Sequence, residues 1–149
     1  MISHQKMPES ELQSLLEIHP YLIEPQFLNA SIEPQKCLES GRADIVVYLK
    51  HEIVVVELKV TPLIDSDVLQ LNGYLEDIQK QTFDKSVRGI LIGKEPKNDI
   101  YKLLKILPFP IKVKMLRKDI PIEIKICKNC RCANDIKKLS CVYCNAISW

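Results

Sequence analysis

Three charged side chains stand at the ends of two strongly apolar segments. Asp44 comes directly before one apolar run, and Glu57 and Lys59 lie at the end of the next. If the two runs form a hairpin with its loop at 50–51, directly opposed positions sum to 101, so that Asp44 faces Glu57. Lys59 then emerges on the same face, because side chains alternate along a strand. The spacing therefore predicts two carboxylates and one ammonium group at one place.

Such a group of charges has a definite chemistry. Two neighbouring carboxylates repel each other, and a divalent cation that prefers oxygen ligands, such as Mg²⁺, relieves the repulsion. A nearby ammonium group can orient or deprotonate a water molecule and stabilise a phosphoryl oxyanion. Together these groups could hydrolyse a phosphodiester. The alternative is a salt bridge at a strand end, with Lys59 paired to Glu57 or Asp44, and the spacing alone does not choose between the two.

A second group of residues lies near the C-terminus. Five of the six cysteines lie in the segment 127–144, and four of them form two C-x-x-C pairs separated by ten residues: Cys127, Cys130, Cys141 and Cys144. Each pair turns two thiolates toward one point, and four thiolates make the closed tetrahedral site of structural zinc. Disulfides are the alternative, disfavoured in a chain without an export signal. Cys132 could compete with Cys130 as a ligand, and Cys37, in an apolar stretch, is interpreted as a core cysteine.

The charge distribution suggests a polyanionic partner. The chain has 149 residues and a net charge of +2, of which residues 117–149 carry +4 (seven basic, three acidic), leaving −2 for the remainder. A basic tail on a slightly acidic body fits nucleic acid, although a solvated tail would look the same. The basic candidates beside the cysteines are Lys128, Arg131, Lys137 and Lys138. Tyr143 and Trp149 could stack on bases, or simply pack around a small zinc site.

The elements that must position these groups follow from apolar periodicity. The pattern predicts helices at 8–19, 65–79 and 98–107, and strands at 31–38 (an edge strand, because of Pro34), 45–49, 53–58, 87–92, 111–116 and 120–126. Near-continuous branched apolar strands indicate a mixed α/β sheet covered by helices on both faces. We therefore expect a core domain at 1–119 and a small cysteine module at 120–149. The absence of a signal-like or membrane-spanning apolar run predicts an intracellular, cytoplasmic protein with no membrane contact.

Several motifs resemble one nuclease group. Gly41-Arg-Ala-Asp44 followed by Val54-Val-Val-Glu-Leu-Lys59 resembles the PD-(D/E)xK nuclease signature. Gln70-Leu-Asn-Gly-Tyr74 is similar to the Q-x-x-x-Y motif of its RecB-like branch, and the segment 9–25 is similar to the first helix and loop of NucS-type endonucleases. The resemblance covers about residues 8–95, with the motifs in the expected order. It implies a restriction-endonuclease-like fold.

The resemblance also implies roles for individual residues. Asp44, Glu57 and the backbone carbonyl of Leu58 would bind Mg²⁺ or Mn²⁺, and Lys59 would be the catalytic lysine, with Gln70, Tyr74 and a first-helix glutamate in support. Glu9 fits the family's E-x-x-L phasing, and Glu11 is the alternative. Arg42 could contact phosphate or pair with a carboxylate.

The function implied is a metal-dependent DNA endonuclease, with a zinc ribbon that aids DNA binding and a role in DNA repair. Many enzymes of this type act as dimers, so a homodimer is a candidate assembly. Two alternatives stand: a non-catalytic DNA-binding adaptor, and a RecB-like exonuclease whose iron–sulfur cluster would use Cys37 with three late cysteines. Ala43 replaces the usual proline, and there is no room for the N-terminal DNA-binding and dimerisation domain of NucS enzymes. Mismatch specificity is therefore not carried over.

Overall fold

The computed structural model describes residues 7–147. The elements run α1 (Glu9–Ile18), two short 3₁₀ turns (Pro20–Leu22 and Pro25–Phe27), β1 (Ser31–Leu38), β2 (Gly41–Tyr48), β3 (Glu52–Pro62), α2 (Asp65–Gln81), β4 (Ser86–Lys94), α3 (Tyr101–Ile106), β5 (Ile111–Met115), β6 (Ile124–Ile126) and β7 (Ala133–Asp135). No helix in this part of the chain is long and apolar enough to cross a membrane.

A five-stranded mixed sheet forms the centre of the molecule, as the sequence predicts. Its strand order is β1-β2-β3-β4-β5, antiparallel from β1 to β3 and parallel from β3 to β5. β1 is an edge strand, and Gln35, after Pro34, leaves the ladder with φ of 51°. The predicted hairpin register is confirmed, because Ile45 pairs with Val56.

Helices cover both faces of this sheet. On one face α1 and the 3₁₀ turns pack Leu12, Leu16 and Phe27 against apolar residues of β2 and β3. On the other face α2 buries a stripe that includes Leu71 and Leu75. Alternate residues of β2 and β3 reach opposite faces and are apolar on both, which is why these strands read as continuous apolar runs.

Three predictions about local structure need correction. The segment 120–126 is not one strand, because the chain bends at residues 122–123: Ile120 forms only an isolated bridge with Leu116, and Ile124–Ile126 pairs with β7 outside the main sheet. The helix predicted at 98–107 is only Tyr101–Ile106. Cys37 is not a core cysteine, because it lies exposed on edge strand β1.

The cysteine module, here residues 120–147, packs directly on the body. Ile120 and Ala133 belong to the same apolar core as the buried leucines of α1. The Ala133 backbone N–H donates to Tyr21 Oη at 2.6 Å, and the rings of Tyr21 and Tyr143 meet edge to face with centroids 4.9 Å apart. The division at 119/120 therefore separates two sheets that share one core.

Candidate active site and cysteine cluster

Asp44 and Glu57 lie where β2 and β3 stop pairing. The ladder ends at Ile45 and Val56, and side chains take over beyond it. The backbone N–H of Asp44 donates to Glu57 Oε1 at 3.2 Å, and the N–H of Leu58 donates to Asp44 Oδ2 at 2.8 Å. Each carboxylate thus accepts a hydrogen bond from the opposite strand, which fixes the two groups side by side.

Burial and mutual repulsion disfavour ionisation of both carboxylates at once, and a bound cation would offset this cost. Glu57 is only 3% exposed. Burial, and then the adjacent charge of Asp44, raises the pKa of Glu57 to about 8, while Lys59 acts in the opposite direction with its Nζ 3.9 Å from Glu57 Oε2. One lysine at that distance does not neutralise two carboxylates. The backbone hydrogen bonds use Asp44 Oδ2 and Glu57 Oε1, which leaves Oδ1 and Oε2 as oxygen ligands of the kind Mg²⁺ takes.

Tyr74, on α2, lies beside the two carboxylates. Burial, with the charges of Glu57 and Asp44, raises the pKa of Tyr74, and hydrogen bonds from the Arg42 backbone and the Gln70 side chain oppose that rise. The structure therefore places Tyr74 beside both carboxylates, and Gln70 beside Tyr74.

Gly41 is required in this arrangement. Its φ of 144° belongs to a region that side-chain-bearing residues rarely adopt, and a Cβ there would lie 3.0 Å from Tyr74 Oη. The glycine of the Gly-Arg-Ala-Asp motif thus lets the β1–β2 turn approach the tyrosine. The Arg42 side chain is exposed at the same turn.

The contact between α1 and the site is made by Gln13, which the sequence reasoning missed. Gln13 Nε2 donates to the carbonyl oxygen of Asp44 at 2.8 Å and to Glu17 Oε2 at 2.6 Å. Glu9 and Glu11 are exposed, and no described hydrogen bond or ion pair joins either to the carboxylates. The spacing Glu9-Gln13-Glu17 could have identified Gln13, because residues four apart place these polar side chains on one face of the helix.

The four cysteines of the two C-x-x-C pairs come together. Their sulfur atoms all lie within 4.8 Å of one another, with Cys127 to Cys144 at 3.7 Å and Cys130 to Cys141 at 3.5 Å. Zinc–sulfur bonds of about 2.3 Å in a tetrahedron require sulfur–sulfur separations of about 3.8 Å. The cluster therefore fits a metal such as zinc.

The two C-x-x-C turns, Cys127–Cys130 and Cys141–Cys144, are called knuckles here and have the same backbone geometry. The residue after each pair donates its N–H to the carbonyl of the first cysteine, Arg131 to Cys127 and Asn145 to Cys141, both at 2.8 Å. Arg131 and Asn145 have φ of 69° and 65°, the left-handed conformation that folds each loop back. Two equivalent knuckles facing each other are what a four-thiolate site needs.

Hydrogen bonds to Cys141 and Cys144 favour the thiolate form of these two cysteines. The Asn134 amide donates to Cys141 Sγ at 3.3 Å, the Tyr143 backbone donates to the same sulfur at 3.4 Å, and the Asn129 amide donates to Cys144 Sγ at 3.4 Å. Although burial favours the neutral thiol, the hydrogen bonds at Cys141 lower its pKa to about 6. A thiolate is the form that ligates metal.

The remaining candidates lie outside this cluster. Cys132 packs against the main core near Tyr21, and Cys37 is not among the four clustered sulfurs. The four basic candidates of the module, Lys128, Arg131, Lys137 and Lys138, are all exposed. Tyr143 packs on Tyr21, and Trp149 lies outside the described residues.

The chain is therefore an α/β protein in which a buried glutamate, a half-buried aspartate and a lysine meet at the ends of two strands, and comparison with known proteins gives its family. The sequence model of the endonuclease NucS C-terminal domain matches residues 8–130, and the chain belongs to this family. The match covers the body and the first C-x-x-C pair and ends before the second.

Solved structures show the same fold. The chain is similar to EndoMS in a complex with double-stranded DNA (26% identity, TM-score 0.58, covering 72% of this chain and 44% of that one). It is also similar to a repair endonuclease from Pyrococcus abyssi (25% identity, TM-score 0.59, covering 74% and 48%). The chain thus spans less than half the length of either protein. Among curated proteins, none matches it significantly.

Proposed function

We propose that this chain is a Mg²⁺- or Mn²⁺-dependent DNA endonuclease of the PD-(D/E)xK type. The observation that carries the proposal is the interlocked pair of Asp44 and Glu57, with Lys59 beside it. A salt bridge from Lys59 to Glu57 would not account for the adjacent, half-buried Asp44, because two ionised carboxylates beside a single lysine raise the free energy of the folded state. Membership of the NucS C-terminal family, and the similarity to EndoMS in its complex with double-stranded DNA and to a repair endonuclease, support the same conclusion.

In this proposal the chain's own groups have separate tasks. Asp44, Glu57 and the carbonyl of Leu58 would hold the cation, which would supply Lewis-acid activation of the phosphate and of water. The Lys59 ammonium stands next to Glu57, where it can orient that water and stabilise negative charge on the phosphoryl oxygens. Tyr74 and Gln70 support the carboxylates from α2. Arg42, exposed at the motif turn, would contact phosphate.

The test is cleavage of single-stranded, duplex and branched DNA by zinc-loaded protein with Mg²⁺ or Mn²⁺. We expect Asp44→Ala to lower the rate by about three orders of magnitude, since it removes several kcal/mol of cation-dependent stabilisation. Asp84→Ala, which removes an exposed carboxylate from the α2–β4 loop, is the matched control and should cleave normally. Equal cleavage by wild type and Asp44→Ala would refute the assignment.

The alternatives have distinct outcomes. DNA binding that survives Asp44→Ala, with no cleavage by wild type under either metal, would favour a non-catalytic adaptor. A covalently closed circular substrate separates the two nuclease modes, because only an endonuclease can open it. Fragment patterns on mismatched duplexes would then show any role in repair, and sedimentation with and without DNA would show whether a homodimer forms.

The cysteine cluster is proposed to hold a structural zinc ion in a ribbon that helps bind DNA. Cys127, Cys130, Cys141 and Cys144 supply four thiolates at the required spacing. We expect one zinc ion per chain and no absorbance at about 400 nm. Bound iron and a visible absorbance band would indicate an iron–sulfur cluster instead.

A further inference from the structure

Basic residues follow the ends of the parallel strands. β3, β4 and β5 run in the same direction, so their carboxyl ends lie at one edge of the sheet. Lys59 is near the end of β3, Lys94 is the last residue of β4, and Arg117 and Lys118 follow β5. A row of cations therefore crosses this edge, beginning at the candidate active site.

Two adjoining cavities connect this row to the cysteine module. A cavity of about 770 Å³ is lined in part by Lys94, Arg117 and Lys118. A second cavity, of about 310 Å³, lies between the body and the module and is lined by Arg117, Lys118 and Lys138, with Lys114. Because Arg117 and Lys118 line both cavities, the basic surface is continuous.

The two acidic residues of the smaller cavity accept hydrogen bonds from the backbone. In the smaller cavity, Asp119 Oδ2 accepts the Met115 N–H at 2.8 Å, and Asp135 Oδ1 accepts the Lys137 N–H at 3.0 Å. Glu95 is the single acidic residue of the larger cavity. Arg117 Nη1 also lies 3.5 Å from Glu123 Oε1, outside both linings. The lining cations still outnumber the acids when Arg117 is left out, by two to one in the larger cavity (Lys94 and Lys118 against Glu95) and by three to two in the smaller (Lys114, Lys118 and Lys138 against Asp119 and Asp135), which suits a repeating anion such as the phosphate backbone of a nucleic acid.

We propose that Lys94, Arg117, Lys118 and Lys138 form a phosphate-binding track that guides DNA from the active site across the sheet edge to the cysteine module. The proposal rests on the proposed nuclease function for its substrate, but it assigns binding residues outside the catalytic motifs. Lys138 comes from the part of the chain beyond residue 130, where the match to the NucS C-terminal family ends. The module thereby extends the binding surface of the family domain.

The strand register gives the width of the sheet that the track crosses, from β3 to β5. Leu58 pairs with Ile92, and Ile92 with Lys114. Two strand spacings of about 4.8 Å separate Leu58 from Lys114 by about 10 Å, which is about three base pairs at 3.4 Å each. The module cavity lies on the α1 face and Glu57 on the α2 face, so the DNA must pass over the strand ends, where Lys94 and Lys118 stand.

The experiment is the salt dependence of DNA binding. Zinc-loaded protein, with no added Mg²⁺ and no chelator, is titrated against a labelled duplex of about 20 base pairs at several NaCl concentrations. The variants are Lys118→Ala, Lys138→Ala and the double variant. Lys80→Ala is the matched control, because Lys80 is an exposed lysine in the last turn of α2, which leads back to the start of β4 at the opposite end of the sheet.

Each single variant should reduce the magnitude of the negative slope of log K against log salt by about 0.9, and the double variant by about 1.8. The reason is that DNA binding releases about one counterion fewer for each phosphate contact that the variant lacks. Lys80→Ala should keep the wild-type slope. A double variant with the wild-type slope, or a Lys80→Ala slope reduced as much as that of the double variant, would overturn the track.

Cleavage by wild type and Asp44→Ala, measured in parallel with Mg²⁺, tests the proposed function separately. Reduced slopes in a protein that does not cleave would support the track as a DNA-binding surface and refute the nuclease. Cleavage with unchanged slopes would support the nuclease and refute the track.

Discussion

Replacing Glu57 by glutamine tests the electrostatics of the candidate site directly. Glutamine keeps the shape of the side chain and the oxygen that accepts the Asp44 N–H, but it cannot ionise. In the Mg²⁺-free protein, burial and the charge of Asp44 raise the pKa of Glu57 to about 8 from 4.5. The folded protein therefore retains a proton that the unfolded chain releases, so its stability is greatest below the unfolded pKa and is lost as pH rises through the folded value.

The size of the effect follows from that shift. At 1.36 kcal/mol per pKa unit, titration between about pH 5.5 and about pH 8.5 removes about 3 kcal/mol of stability. Glu57→Gln should lack this loss. The variant should therefore be more stable than wild type at the higher pH by about that amount, relative to their difference at the lower pH.

Urea unfolding of zinc-loaded, Mg²⁺-free protein at the two pH values measures this difference. Comparing wild type with Glu57→Gln cancels the pH dependence of the cysteine cluster, which both proteins share. Added Mg²⁺ should stabilise wild type most at high pH, where Glu57 is ionised, and should leave the variant nearly unchanged. Parallel pH profiles for the two proteins would show that Glu57 is already ionised near neutral pH and that the reasoning is wrong.

Three further substitutions test residues that support the candidate active site (Gln13 and Gly41) and the cysteine cluster (Arg131). Gln13→Ala removes the hydrogen bond to the Asp44 carbonyl and should cost about 1 kcal/mol in urea unfolding and lower the cleavage rate, whereas Ser14→Ala, on the same helix, should do neither. Gly41→Ala forces a Cβ into a restricted φ and against the buried tyrosine hydroxyl, so we expect a loss of at least about 1 kcal/mol in the same assay. Arg131→Gly relieves a left-handed φ and should leave thermal stability unchanged or raised by up to about 1 kcal/mol, whereas Arg131→Val should lower it; the opposite order would contradict the knuckle geometry.

Local pattern was sufficient for most of the fold. The apolar runs and the loop length predicted the β2–β3 register, which the pairing of Ile45 with Val56 confirms. The helical spacing of α2 and the edge position of β1 also follow from short-range patterns, in which each side chain's face is set by its distance along the chain. Prediction failed within 120–126, where a bend at residues 122–123 divides an apparently extended apolar segment and leaves only Ile124–Ile126 as a strand.

The candidate site divides in the same way. The residue types and spacing of Asp44, Glu57 and Lys59 indicated their chemistry, and the two C-x-x-C pairs indicated a metal cluster, since in both cases the partners are joined by a short hairpin or turn. The contact of Gln13 with the Asp44 carbonyl, 31 residues away, depends on how α1 packs on the sheet. The exposure of Cys37 likewise depends on β1 being the last strand of the sheet, with no element covering it.

The sequence by itself therefore determined which residues meet at each site, because a hairpin or a C-x-x-C turn brings residues that are close in sequence together independently of the rest of the fold. The tertiary structure decided what surrounds the site. It docked the cysteine module through Tyr21 and Ala133, 112 residues apart, and it brought Lys138 to the cavity lined by Lys118. Contacts of that range arise from the packing of whole elements in one core, and no local periodicity encodes them.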